Sequence, residues 1–94
     1  MSHDLMTKCE QKRLFKIDDE KIWKWVEVEV SALTSGEHNN IRCVHCHGRV
    51  RVHKQNVDHG PKDHVEHRLK RDSENCKGGH YFKGAHKMSQ DPVS

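Results

Sequence analysis

A chain of 94 residues with 32% hydrophobic and 5% aromatic residues is the size of one small domain and has little apolar surface to bury. That excludes a large self-sufficient core, and the absence of any long apolar run excludes a membrane span and a secretory signal, so the expected setting is the reducing cytoplasm. The formal charge of +3 is the sum of two opposed parts. Residues 1–41 carry 6 Lys/Arg against 8 Asp/Glu, a net of -2, and residues 42–94 carry 11 against 6, a net of +5.

In chain order, residues 1–14 are polar without a sustained period and read as a flexible arm or short helix. From Ile22 the pattern alternates: Ile22, Val26, Val28 and Val30 share one strand face, and Trp23, Trp25, Glu27 and Glu29 share the other. Ser35-Gly36 ends that element, and residues 37–40 form a loop into the run from Ile41 to Gly48, a tight turn carrying Cys43 and Cys46. A second strand follows at 49–54, with Val50 and Val52 toward a core and Arg49, Arg51 and His53 away from it. Asn56 to Pro61 is a turn cluster. Beyond it, Val65 and Leu69 at i and i+4 predict a helix over 62–71, with Pro61 at its entrance. Residues 83–94 lack core side chains and read as a disordered tail, leaving 15–82 as the folded domain. The expected fold class is α+β: a small zinc-ribbon-like domain with an antiparallel sheet, including residues 22–33 and 49–54, and one helix.

A core this thin calls for a staple, and the cysteines supply one. Cys43 and Cys46 can chelate one ion from a compact turn, with Gly48 suiting the sharp exit into a strand. Twenty residues separate Cys46 from His67, and 8 separate His67 from Cys76, so a histidine and a cysteine can meet the first pair in a tetrahedral Cys3His site. Three thiolates and an imidazole favour zinc and leave no open position for a catalytic water, which makes the ion structural. The preferred set is Cys43, Cys46, His67 and Cys76. His64 is the alternate histidine and His80 a third candidate, while a site using both His64 and His67 would leave Cys76 spare. Cys9 stands alone and is assigned no role.

The run Arg42-Cys43-x-x-Cys46-x-Gly48-x-Val50-x-Val52-His53, then Asp63-His64-Val65-Glu66-His67 and Cys76, resembles a set of bacterial zinc-binding modules found as small proteins or beside nuclease domains. The competence-protein CoiA group is distantly similar. The resemblance covers about residues 42–76 and departs at His47, where glycine is common, and at Val65, where an aromatic is usual. It implies a zinc-organised module associated with DNA processing, with Cys43, Cys46, one histidine of the 64/67 pair and Cys76 as ligands, and no catalytic residue. Inhibitor-of-apoptosis BIR domains share the Cys-x2-Cys, His and Cys order but not their other motif residues.

Two functions follow as expectations. In the first, Arg49, Arg51, His53 and Lys54 on the strand, with Arg68, Lys70 and Arg71 on the helix, contact the phosphates of DNA or RNA. Trp23 and Trp25 could stack on bases, but Glu27 and Glu29 share their face and repel phosphate, so the tryptophans are expected to pack under the N-terminal arm. In the second, the domain is an adaptor that recruits a separately encoded protein partner. Catalysis is not expected: His38-Asn39-Asn40, Asp58-His59 and Asp63-His64 lack the placement a nuclease metal finger requires. No small-molecule substrate and no membrane partner are expected.

Overall fold

The computed structural model of the chain describes residues 5–55, 58–60 and 62–94. Six strands and one helix follow each other: β1 (Lys8–Ile17), β2 (Glu20–Glu29), β3 (Gly36–Glu37), β4 (Ile41–Arg42), β5 (Val50–His53), β6 (His64–His67) and α1 (Lys70–Asn75), with a 3-10 turn at Val30–Ala32. They form two antiparallel three-stranded sheets, ordered β2-β1-β4 and β3-β5-β6, so the fold is α+β as expected, with two sheets where one was anticipated.

The N-terminal arm is corrected first. Residues 8–14 belong to β1, which pairs with β2 along its whole length, from Lys8 opposite Glu29 to Ile17 opposite Glu20. Asp18 and Asp19 close the hairpin with φ of 50° and 68°, the left-handed region a two-residue hairpin turn demands and which Asp tolerates better than most side chains. The polar composition of residues 8–14 hid this strand, because much of β1 faces solvent while its inner end carries the fully buried Cys9. Strand β2 ends at Glu29 rather than continuing to 33, since Val30 turns into the core while its N–H donates to Thr7 O at 2.9 Å.

The helix over 62–71 is also corrected. His64–His67 is a strand paired with β5, and the helix starts only at Lys70. Val65 stands opposite Val52, and His67 opposite Val50, so the apolar alternation of β5 selects strand pairing over the helical spacing of Val65 and Leu69. The predicted helix entrance, Pro61, and the turn residues Asn56 and Val57 lie outside the described residues. Strand β5 agrees with its prediction: Val50 and Val52 are buried and Arg51 is exposed.

The tail has no strand or helix, yet it is tied to the domain. Lys87 N–H donates to Asn75 O, Ser89 N–H to Cys46 O and Val93 N–H to His47 O, at 2.7–2.9 Å. Hydrogen bonding, rather than apolar burial, holds it, and composition alone gave no sign of that.

The core gathers Met6, Val30, Ile41, Val50, Val52 and Val65 with all four cysteines. Six apolar side chains beside four thiols make a thin core for a domain of this length. Where β1 meets β4, the Arg42 guanidinium lies 3.9 Å from the Trp25 ring centre and donates to Glu10 Oε1 at 2.7 Å. Trp25 is therefore partly covered by Arg42 rather than by an arm, and Trp23 remains 61% exposed.

Candidate metal centre

The turn from Cys43 to Gly48 is built by its backbone. His47 N–H donates to Cys43 O at 3.0 Å and Cys43 N–H to Gly48 O at 2.9 Å, closing a tight loop in which His47 takes φ 65°. Position 47 thus adopts the backbone that glycine favours, with an imidazole in its place. Inside the loop, His45 N–H points at Cys43 Sγ and Gly48 N–H at Cys46 Sγ, each at 3.3 Å. The same device recurs past α1, where Gly78 N–H points at Cys76 Sγ at 3.4 Å. These N–H groups favour thiolates over thiols.

Strand β6 and the end of α1 bring the other two ligands. Period-2 alternation turns Val65 and His67 to the inner face and His64 and Glu66 to the outer one. His67 Nε2 lies 3.4 Å from Cys46 Sγ, and Cys43 Sγ lies 3.7 Å from Cys76 Sγ. The donor atoms of Cys43, Cys46, His67 and Cys76 all fall within 4.8 Å of one another, and the three cysteines are fully buried. A tetrahedral ion with metal–sulfur bonds near 2.3 Å requires sulfurs about 3.8 Å apart, so this spacing fits a first-row metal.

His64 is not part of this group. Its ring stacks on His53, with centroids 5.2 Å apart and planes 14° apart, and its Nδ1–H donates to Lys62 O at 2.7 Å. Glu66 reaches both imidazoles, with one oxygen 2.9 Å from His53 Nε2 and the other 3.7 Å from His64 Nε2. His80 is exposed and also lies outside the ligand group.

The thiols press on one another. Hydrogen bonds from Cys43 and Cys46 push Cys76 down to about 3, whereas the bonds Cys46 shares with Cys43 and Cys76, together with burial, hold Cys46 far above the usual thiol range. Three thiols in contact cannot all ionise without a cation among them, and a divalent ion would supply the charge that allows it. Cys9 is different. Burial first, then the neighbouring Cys43 and Glu10, raise it to about 11, the state of an inert structural thiol.

Sequence reasoning missed two neighbours of the site. Met6 Sδ lies 3.8 Å from Cys43 Sγ, beside an isolated bridge from Met6 to Val65. Asp72, 2% exposed, accepts from Ser89 Oγ at 2.8 Å through Oδ1, while Oδ2 is buried without a hydrogen-bond partner. Neither follows a period or a metal-ligand spacing, so nothing in the linear sequence pointed to them.

Of the six cations expected to meet nucleic acid, Arg49, Arg51 and Arg68 line one groove of about 310 Å³ on the outer face of the β3-β5-β6 sheet, with His53, Glu37 and Glu66 among them. Glu37 bridges two of these arginines, 3.2 Å from Arg68 and 3.9 Å from Arg51, and Arg49 lies 3.6 Å from Asp91. Lys54 instead clasps Asp63 at 2.7 Å and Ser31 O at 3.0 Å, and with a bond from Gln55 N–H this draws the Asp63 carboxyl below its usual range. Lys70 lies on α1 with its ammonium 5.8 Å from the Tyr81 ring, and Arg71 is exposed on the same helix.

Among the described residues, no helix is long and apolar enough to cross a membrane. A family model matches residues 1–94. No curated protein and no solved structure matches the chain.

Proposed function

The chain belongs to that family, whose model spans it from residue 1 to residue 94, and we propose that it is a structural-zinc protein that binds nucleic acid through the groove beside its metal centre. The observation that carries the reading is the closeness of one imidazole and three thiols, all within 4.8 Å, on the inner face of the sheet whose outer face holds Arg49, Arg51 and Arg68. Zinc is the ion of choice for a Cys3His set. Four protein ligands fill a tetrahedron, so the role is structural and no catalytic step is assigned.

When bound, the ion ties the Cys43–Gly48 turn, β6 and the end of α1 together, which fixes the strands that hold the three arginines. Their guanidiniums suit phosphate oxygens, and Glu37 is the internal carboxylate that incoming phosphate would displace from Arg51 and Arg68. The resemblance of residues 42–76 to modules found beside nuclease domains supports the same reading.

The test is a gel-shift or filter assay on zinc-loaded protein with random duplex and single-stranded DNA and RNA across a salt series. Wild-type binding should weaken with salt. Arg49→Glu with Arg51→Glu should abolish it, and neutral replacements should flatten the slope of log affinity against log salt by about 2 units at most, zinc content being unchanged. Wild-type protein that retains no nucleic acid at low salt overturns the reading and favours a protein-recruiting adaptor.

A further inference from the structure

Among the described residues, the β1–β2 hairpin leaves one long edge open. In the sheet order β2-β1-β4, β2 is the outer strand, and all ten of its residues pair on one side only. The direction of its backbone groups can be read from its neighbours. Lys12 N–H donates to Asn40 O, on the side of β1 away from β2, and Trp25 stands directly opposite Lys12. In an antiparallel pair, residues directly opposite both turn their backbone groups inward or both turn them outward. Lys21, Trp23, Trp25, Glu27 and Glu29 therefore aim their N–H and C=O groups at the open edge, while Val30 N–H, of the other parity, reaches inward to Thr7 O.

An unguarded edge of this length is a template for another strand. Its side chains specify which one. Charge is unevenly spread along β2: Lys21 and Lys24 lie in the outer half, with Glu20 at its tip, and Glu27 and Glu29 lie in the inner half. A strand of the same sequence running antiparallel sets the lysine half against the half with Glu27 and Glu29, and leaves Glu20 beyond the paired stretch. Hydrogen bonding requires the outward-facing residues to meet each other, which leaves a few registers. The register centred on Trp23 pairs fewer residues, and the one centred on Lys24 sets like charges face to face. The register centred on Trp25 joins residues 21–29 of both strands, with Lys21 opposite Glu29 twice and no like charges opposed.

We propose that β2 is a homodimerisation edge: two copies of this chain pair antiparallel about Trp25, merging two hairpin sheets into one six-stranded sheet. The same geometry bears on the exposed Ile22 at the hairpin's outer end. Ile22 and its cross-strand neighbour Phe15 are each 36% exposed. In the dimer Ile22 lies beside Val28 of the second copy, at the end where β2 enters the body, so Ile22 gains an apolar neighbour on its own face. A two-fold pair closes on itself, since it consumes the free edge of both copies. The proposal does not depend on nucleic-acid binding.

Sedimentation velocity on the full zinc-loaded chain from low to high micromolar concentration tests it. The expected result is a species of twice the 11.0 kDa chain mass. Trp23→Pro removes an outward N–H and no bond to β1, so it should give monomer with unchanged zinc content. Glu29→Lys sets lysine against Lys21 in two places and should weaken association about tenfold, while Lys21→Glu combined with Glu29→Lys restores it. Wild-type protein that stays at 11.0 kDa throughout overturns the proposal. A dimer unaffected by Trp23→Pro and by the charge reversal overturns it too, because association then uses another surface.

Discussion

The α-carbon of Gly48 lies against the carboxylate of Asp72: a methyl group at position 48 would stand 2.5 Å from Oδ2 and 3.2 Å from Cys46 Sγ. The first contact is closer than real side chains make, so Gly48→Ala must displace the carboxylate, which Ser89 holds in place. The expected cost is about 1–3 kcal/mol, as for other overpacked sites. Asp72→Ala removes the obstacle. Thermal melts of both single variants and the double variant should show the alanine at 48 costing much less once Asp72 is gone, a coupling that a double-mutant cycle reads directly.

The two histidines of β6 separate by face. His67→Ala deletes a ligand and should weaken zinc binding by at least the roughly 10–100-fold that loss of an outer partner costs. His64→Ala removes the stack on His53 and should leave zinc stoichiometry intact. Chelator competition on both variants checks this, and equal losses would contradict the assignment of His67 alone.

Metal removal should unfold the domain, because six apolar core side chains cannot hold it alone. Cys46→Ser should do the same, as read by far-UV circular dichroism. Because its thiol neighbours and burial raise Cys46, metal entry should expel a proton at neutral pH. Calorimetric titrations in buffers of different ionisation enthalpy should therefore differ in apparent heat, and acid should release the ion by returning protons to the thiolates.

Cys9 gives an alkaline signature. Its folded value, raised from 9.0 to about 11, lies above that of the unfolded chain, so its contribution is complete below pH 9.0 and is lost as pH rises towards 11. Cys9→Ala should flatten the fall of the melting temperature across that window and keep zinc content unchanged.

The legible parts of the sequence were those whose pattern and environment coincide. The turn from Cys43 to Gly48 follows from spacing, and β5 from strict alternation, since Val50 and Val52 meet one uniform core. Strand β6 is not legible from the sequence because four residues are too short to separate a period of 2 from one of 3.6, and its deciding partner, Val52, lies 13 positions away from Val65. Strand β1 escaped notice because its two ends serve different surroundings: Cys9 is buried, while Leu14, Phe15 and Ile17 are exposed. Asp72 and Ser89 meet across 17 positions through a single hydrogen bond, which leaves no trace in a linear pattern.

The tail also makes the metal centre readable from a distance. Ser89 and Val93 donate their amide N–H groups to the carbonyls of Cys46 and His47, within the turn that carries two of the four candidate metal ligands. Isotope exchange at those two amides is governed by how often the turn opens, so their exchange rates become a clock for metal occupancy. Protection at Ser89 and Val93 should collapse on chelation together with that of Cys43, whose N–H bonds within the turn itself.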